Sequence, residues 1–401
     1  MNKIETDILV SGGGIAGLAA AYAFGQAGFK TICVDPTPPV VDRDTAGADL
    51  RSTALLQPAR DFLDHIGLWS RLDDHASPLD VMRIIDAGGA NGEARLTKDF
   101  VATDISDRPF GWNVPNWLLR REMVAALTQL DTVDFRSGCA TKAVLTRQSH
   151  VLATLSDSTQ IRAKLIIAAD GRASFVRQAV GIDVQTKRYG QKALAFAVTH
   201  PIPHEQVSTE IHRTGGPFTL VPLPDHKGRP SSAVVWMESG PNAQRLFEMD
   251  PSDFEAAMSE RSCHVLGPLT LASDRSIWPI ISQIADQFHG QRVALIAEAA
   301  HVVPPIGAQG LNMSLGDVAS LLALAQEAPD AGDAALLERY HKSRYSEVKL
   351  RVTGVDALNR ASMMSAQPMR DLRALGLQGL HAAGPVRKTL MKLGLGTSQS
   401  T

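Results

Sequence analysis

The sequence predicts an α/β protein: a Rossmann-like domain interrupted by an inserted domain with a mixed or antiparallel sheet, then a helical C-terminal region. Three observations predict it. First, "DILVSGGGIAG", Asp7 to Gly17, is an apolar strand that runs through glycines into an alanine-rich helix, and "KTICVD", Lys30 to Asp35, completes a βαβ unit. Second, "KLIIAADG", Lys164 to Gly171, and "RVALIAEAAH", Arg292 to His301, repeat the design of a short apolar run ending in an acid and small residues. Near-continuous apolar runs suit strands of a parallel sheet buried on both faces. Third, Val184 to Gln291 alternates in runs such as "KALAFAVTH" and "SSAVVWMES", the pattern of a sheet with one covered face.

These readings set the expected boundaries. Residues 1–77, 108–183 and 292–330 form the first domain, 78–107 and 184–291 the insertion, and 331–401 the helical region, with a long helix from about Ala334 to Met364. Ligands bind beyond the carboxyl ends of parallel strands. Asp35, Asp170 and Glu298 are therefore expected at one crevice.

Composition narrows the function classes. Lys plus Arg number 40 against 42 Asp plus Glu, a net charge of −2 that offers no field for nucleic acid. Cys33, Cys139 and Cys263 form no metal-spaced pair, which suits a reducing compartment and the role of small buried hydrophobes. No metal site is expected. The N-terminus runs straight into a strand, and no apolar run is long enough to span a membrane, so a cytoplasmic protein is expected.

In the glycine turn, Gly12 allows the tight bend, Gly14 lets the backbone approach a pyrophosphate, and Gly17 lets helix and strand pack. Asp35 lies about 20 residues beyond Gly14, the usual distance for an acid that holds a ribose hydroxyl. Arg51, in "DLRSTALLQPARDFLDHIGLW", has two readings: a solvated arginine before an amphipathic helix, or a guanidinium for a phosphate or ribose. "AADGRASFVRQAVGI" reads as strand, turn and a helix capped by Ser174. "AEAAHVVPPIGAQGLNMSLGDVASLL" carries Pro304, Pro305, Gly307 and Gly310 in a rigid turn that leads into a helix at about Leu311. Its first N–H groups would face an anionic ring edge.

Together, "GGGIAG", "ADGRASFVR" and "AEAAHVVPPIGAQGLN" resemble, in order and spacing, the motifs of the FAD-dependent aromatic hydroxylases, the single-component flavin monooxygenase superfamily. "DLRSTALL", "PIGAQGLNMSLGDV" and the helical tail are most similar to the ubiquinone-biosynthesis hydroxylases. The resemblance implies a Rossmann-like FAD-binding domain and an inserted substrate domain. It implies that Gly12, Gly14, Ile15, Ala16, Gly17 and Asp35 hold the ADP half of FAD, with Arg51 and either Arg120 or Arg121 on the phosphates or ribose. Asp170 and Gly171 would lie near the pyrophosphate, Glu298 near the ribityl chain, and Gly310, Leu311 and Asn312 at the flavin ring edge. Pro304 and Pro305 would pass close to the reacting carbon, and His301 is a candidate catalytic group beside its plainer reading as a structural hydrogen-bonder. The family's usual "GDAAH" is "AEAAH" here, with Ala297 and Glu298 in place of Gly and Asp.

The implied reaction uses NAD(P)H as co-substrate and O2, through a C4a-hydroperoxide of the flavin, to hydroxylate a phenol, with a polyprenylated phenol of ubiquinone biosynthesis as the expected substrate. A small soluble aromatic is the alternative substrate. A non-catalytic flavin-fold scaffold in a biosynthetic complex is a third reading, motivated by Ala297 and Glu298. His200, His212 and Trp236 are candidates to line a substrate pocket. The tail, Pro368 to Gly396, sets five basic residues against Asp371 among leucines at helical spacing. It is expected either to touch an inner-membrane surface or a partner enzyme, or to cap the FAD domain with a solvated basic face.

Overall fold

The computed structural model describes residues 3–43, 45, 47–89 and 92–396. Its central parallel strands are Lys3–Ser11, Thr31–Asp35, Val133–Ser137, Gln160–Ala168 and Val293–Leu295. Gln160–Ala168 and Thr31–Asp35 flank the first strand, Val293–Leu295 pairs with Gln160–Ala168, and Val133–Ser137 with Thr31–Asp35. The helix Ile15–Gln26 returns between the first two strands, and its small residues, Ala16 to Ala23, are nearly all buried. Alanine and glycine on that face let the helix lie close to the sheet. An antiparallel hairpin, Thr141–Thr146 and Val151–Leu155, extends this sheet beside Gln160–Ala168.

The second sheet has nine strands. Val184–Thr199 pairs antiparallel with Arg229–Ser239 and Ser276–Ala285, and Pro217–His226 continues the order. Val81–Asp86 and Leu96–Val101 join the far side, because Val81–Asp86 pairs parallel with Val207–His212. Segments far apart in sequence thus share one sheet. A third, three-stranded sheet combines Ser52–Leu56, Ser77–Leu79 and Gly111–Pro115.

Four expectations are corrected. Within Arg292 to His301 the strand is shorter than the apolar run before Glu298: Val293–Leu295 belongs to the parallel sheet, Ala297–Ala299 is a 3₁₀ turn, and His301–Val302 pairs with Ser276–Ala285 in the other sheet. Both environments are apolar, so periodicity gives no hint of the break. Arg51 precedes a strand, Ser52–Leu56, and the helix starts only at Gln57. Of the cysteines only Cys33 is buried, while Cys139 and Cys263 are partly exposed. The tail does not cap the first domain alone: Met391 and Leu395 of its last helix pack with Leu56 and Phe110 of that domain, but its charged anchors lie elsewhere. Helices Gln367–Ala382 and Gly384–Leu395 lie against the edge strands of the nine-stranded sheet: Arg373 pairs with the buried Asp86, Arg95 with Asp371, Arg387 with Asp104, and His381 meets the Asp99 carbonyl. Arg373 and Arg387 are held this way, and Arg370 is hydrogen-bonded within the tail to Gln367. Among the described residues no helix is long and apolar enough to cross a membrane.

Candidate functional site

The carboxyl ends of the parallel strands meet in one row. Gly12 N–H donates to the Val34 carbonyl at 2.8 Å, Ala169 N–H to Ser11 at 2.8 Å, and Ile296 N–H to Ala168 at 3.0 Å. Asp35, Gly12–Gly17, Asp170–Gly171 and Ala297–Glu298 therefore lie side by side, as the repeated design predicted.

The glycines divide by role. Gly12 has φ +113°, and a Cβ there would meet the Ala169 carbonyl oxygen at 2.3 Å. A Cβ on Gly17 would sit 1.9 Å from the Gly12 carbonyl oxygen. Both positions are closed by backbone. A Cβ on Gly14 would meet nothing within 4 Å. Gly14 therefore faces open space at the start of the helix, ahead of Ile15 and Ala16, where N–H groups lack intrahelical partners. Asp35 receives Gly13 N–H at 2.6 Å and Thr37 N–H at 2.8 Å, one on each oxygen. A carboxylate accepts more than two hydrogen bonds, so capacity remains for a ligand hydroxyl.

Asp170 spends both oxygens on its own turn: it accepts from the Ser174 hydroxyl and, at 3.0 Å, from Val176 N–H. Ser174 also accepts from Arg177 N–H at 3.0 Å, which is the cap read from sequence. Gly171 has φ +82° and open space around its Cβ position. Arg51 is held bidentate by Asp49, stacks over the Trp278 ring at 5.3 Å, and its pKa is raised first by the Asp49 hydrogen bond and in small part by Glu298. Glu298 is half-exposed and 3.5 Å from Arg172. Arg120 and Arg121 are distinguishable: Arg121 bonds Glu122 at 2.8 Å and stacks on Trp117, whereas Arg120 Nε is buried without a partner.

The loop after His301 carries the second half of the site. Pro304 is buried, Pro305 exposed, and Gly307 has φ +63°. Ala308, at φ +55°, starts the helix Gln309–Glu327, two residues earlier than expected, with no side-chain cap. Its unpaired N–H groups are those of Gln309, Gly310 and Leu311. Gly310 is exposed with open space around its Cβ position. Asn312 contributes differently: its side chain accepts from Leu56 N–H at 2.8 Å and donates to the carbonyls of Ala54 at 2.7 Å and Ala308 at 2.6 Å. It fastens the helix start to the three-stranded sheet.

Ala297 has φ +56°, the left-handed region that glycine tolerates and alanine does not. The usual glycine of the motif is thus replaced at a position whose backbone still has the glycine conformation, at a strain of about 1 kcal/mol. Of the two readings of His301, its surroundings are those of a structural hydrogen-bonder. It is 2% exposed, its Nε2 lies 2.6 Å from Asp317 Oδ2, and the fully buried Asp317 also binds Arg344 at 2.9 Å and Ala297 N–H at 3.1 Å. The His301 Nε2 is taken by Asp317. The chain of polar contacts continues from Arg344 to Glu347, to Arg351, and to Gln309 Oε1 at 2.6 Å, so it ends at the first residue of the loop's helix.

Of the other pocket candidates, His200 is buried between the Ile202 carbonyl and Ser232, and Trp236 packs in the core on Phe218 at 5.4 Å. His212 bonds Glu210 at 2.7 Å. Sequence reading missed the group that faces the loop: Val303 and Ile306 pack with Tyr189, Met237, Trp278 and Ile280 of the nine-stranded sheet. Burial and the neighbouring Asp356, which accepts from Tyr189 Oη at 2.7 Å, outweigh a Ser282 hydrogen bond and push the Tyr189 phenol up to about 12. The signal for these residues was "SIWPI" in an alternating run, which without its partner strand does not show which face Trp278 takes.

Open space at Gly14, free N–H groups at two helix starts, and the orphaned Arg120 Nε fit a long anionic cofactor. A family model described as FAD binding domain matches residues 5–355. The chain belongs to that family. It is similar to the ubiquinone hydroxylase UbiL of Rhodospirillum rubrum, 30% identical over 98% of this chain and 90% of the relative. It is similar to the 3-demethoxyubiquinol 3-hydroxylase of Escherichia coli, 26% identical over 99% and 100%. Its fold is that of p-nitrophenol 4-monooxygenase PnpA from Pseudomonas putida, with a TM-score of 0.79 at 19% identity over 98% of this chain and 99% of that one. The chain is an FAD-dependent monooxygenase, and the scaffold reading falls away.

Proposed function

We propose that this monooxygenase hydroxylates the ring of a polyprenylated phenol in ubiquinone biosynthesis, with NAD(P)H and O2 as co-substrates. The observation that carries the ring chemistry is the uncapped start of Gln309–Glu327 opposite the wall of Trp278, Met237 and Tyr189. The substrate class is supported by relatives named as ubiquinone hydroxylases. The division proposed is an FAD domain of 1–77, 108–183 and 292–330 with a substrate domain of 78–107 and 184–291.

In this reading Gly12, Gly14, Ile15, Ala16 and Gly17 cradle the pyrophosphate, Asp35 accepts from the adenosine ribose, and Arg120, with Arg51, neutralises phosphate charge. Asp170 orders the turn that presents Gly171, and Glu298 accepts from the ribityl chain. FAD supplies the oxygen chemistry when bound. The protein's own work is to hold the flavin and substrate rings in register and to keep the loop Val303–Ile306 dry. The N–H groups of Gln309, Gly310 and Leu311 stabilise negative charge at the ring edge, and Pro304 and Pro305 stiffen the loop beneath it.

Gly14→Ala tests the cofactor reading cleanly, because nothing in the protein opposes the added methyl. The variant is expected to fold and melt like the wild type while binding FAD at least tenfold more weakly, by fluorescence titration. Lipid extracts of a strain deleted for the gene are expected to accumulate a prenylated phenol lacking one ring oxygen, restored by the wild type and not by Gly14→Ala. Normal ubiquinone and no intermediate, in a strain without a redundant hydroxylase, would move the assignment to a soluble aromatic.

A further inference from the structure

The first tail helix turns an uncharged face outward. On Gln367–Ala382 the exposed residues are Pro368, Met369, Leu372, Leu375, Gly376, Gln378, Gly379 and Ala382. Leu372 is 60% and Leu375 65% exposed. An ordinary solvent-facing helix surface carries charged side chains, and this one has none. On Gly384–Leu395 the stripe continues with Val386, Leu390 and Leu393, each about half-exposed, flanked by the exposed Lys388 and Lys392.

Charge makes the surface one-sided. From Lys349 to Gly396 the two carboxylates are Asp356 and the half-exposed Asp371, and both are paired, with Lys187 and Arg95. The inward faces of the same helices are occupied by Leu377, Leu380, Met391 and Leu395, which pack on Phe100 and Phe110. The outer leucines are therefore not a misplaced core. Gly376 and Gly379 have open space around their Cβ positions, so no neighbour requires glycine there. What they provide is a flat outer surface.

We propose that the outer face of Gln367–Leu395 docks on the surface of an anionic phospholipid bilayer. Apolar side chains at helical spacing enter the acyl boundary while flanking lysines meet lipid phosphates, the physics of an in-plane amphipathic helix. A protein partner of matching surface would need an apolar, acidic patch of its own, and a second copy presenting this same face would set lysine against lysine. The docking also sets the reactive core relative to the membrane. The Gly394 carbonyl accepts from Gln309 Nε2 at 3.1 Å, so the last helix ends on the first residue of the helix proposed to face the flavin ring. A small cavity opens beside it, lined by Gln57, Ile105, Ser106, Lys392 and Leu395. Docked on its outer face, the protein would hold that opening at the lipid boundary. This placement rests on the proposed function only for the identity of what enters; the docking itself does not.

The test is flotation of the FAD-loaded protein with phosphatidylcholine vesicles, with and without phosphatidylglycerol. Flotation is expected with the anionic vesicles and much less with the neutral ones, and added salt should weaken it. The double variant Leu372→Glu, Leu375→Glu should float at least tenfold less, with unchanged FAD content and melting temperature, since neither side chain packs on the fold. Lys388→Glu should weaken the preference for anionic lipid. Gly376→Ala with Gly379→Ala, which favours the helix, should float as well as the wild type. Equal flotation of wild type and the leucine variant overturns the proposal. So does a wild type that ignores vesicles and elutes as a dimer that the leucine variant splits. Either failure leaves FAD binding and the accumulated lipid intermediate as separate readouts, so the hydroxylase reading stands or falls on its own.

Discussion

Asp317 is the residue on which the loop's geometry turns, and burial and charge compete there directly. Burial raises its carboxyl pKa; His301, Arg344 and the N–H of Ala297 lower it, and they prevail, so it lies below its ordinary value of 3.8. A carboxyl lowered in the folded state contributes stability that is full above the unfolded pKa and is lost as pH falls through the lower folded one. The contribution is therefore intact at neutral pH and fades below about pH 4. Asp317→Asn strands Arg344, a guanidinium 6% exposed, without its carboxylate. It is expected to cost about 3 kcal/mol or more at neutral pH, and the gap to the wild type should narrow as pH falls from about 5 toward about 3. Urea unfolding across that range checks it; a gap that does not change with pH would contradict the ion-pair account. The same residue explains His301, whose imidazole is a partner of Asp317 before it is anything else.

At the scale of elements, the helix Gln309–Glu327 matters for where it begins. Asn312 ties its first turn to Ala54 and Leu56 with two side-chain hydrogen bonds, across 256 residues of chain for Leu56, and a third holds the Ala308 carbonyl at the helix start. Asn312→Ala leaves the Leu56 N–H without an acceptor and is expected to cost about 2–3 kcal/mol, with FAD bound several-fold more weakly because the free N–H groups lose their fixed aim. A parallel drop in melting temperature and FAD affinity checks it; weaker FAD binding at unchanged stability would mean that Asn312 touches the cofactor instead. How far the elements were legible follows from what each one answers to. The βαβ unit answers to local rules, a strand, three glycines and a small-residue helix, and it stands where the sequence put it. The Asp170 turn and the long helix from Ala334 were read for the same reason. The break after Leu295 answers to two sheets that are equally apolar, and hydrophobicity alone cannot mark a change from one to the other. The Asn312 tether and the wall of Trp278 and Met237 depend on partners hundreds of residues away.

For the whole molecule, the tail is the part whose position the sequence hid most completely, because its anchors are ion pairs over long separations. Asp86, 1% exposed as a side chain, is held from both sides: Arg95 at 2.6 Å comes from its own sheet and Arg373 at 2.9 Å from the tail. Burial raises the Asp86 pKa, but the two guanidiniums and Gly88 N–H lower it further, so the carboxylate is charged and needs both partners. A five-basic tail consequently spends much of its charge inward, on Asp86 and Asp104, and what it shows to solvent is mainly apolar. Arg373→Ala removes one clamp of the seat and leaves the other. The tail is expected to lift more often, seen as faster proteolysis at Met363–Ala366, the short link between the long helix and the tail. FAD should remain bound, because Gln309 is also held by Arg351, which belongs to the long helix and not to the tail. Cleavage and flavin absorbance followed in the same digest separate the two. Rapid cleavage with flavin retained fits a seat built on the sheet edge and a flavin helix secured independently of it. Flavin lost in step with cleavage would mean that the Gly394 contact, not Arg351, fixes the start of that helix, and that the tail belongs to the cofactor site itself.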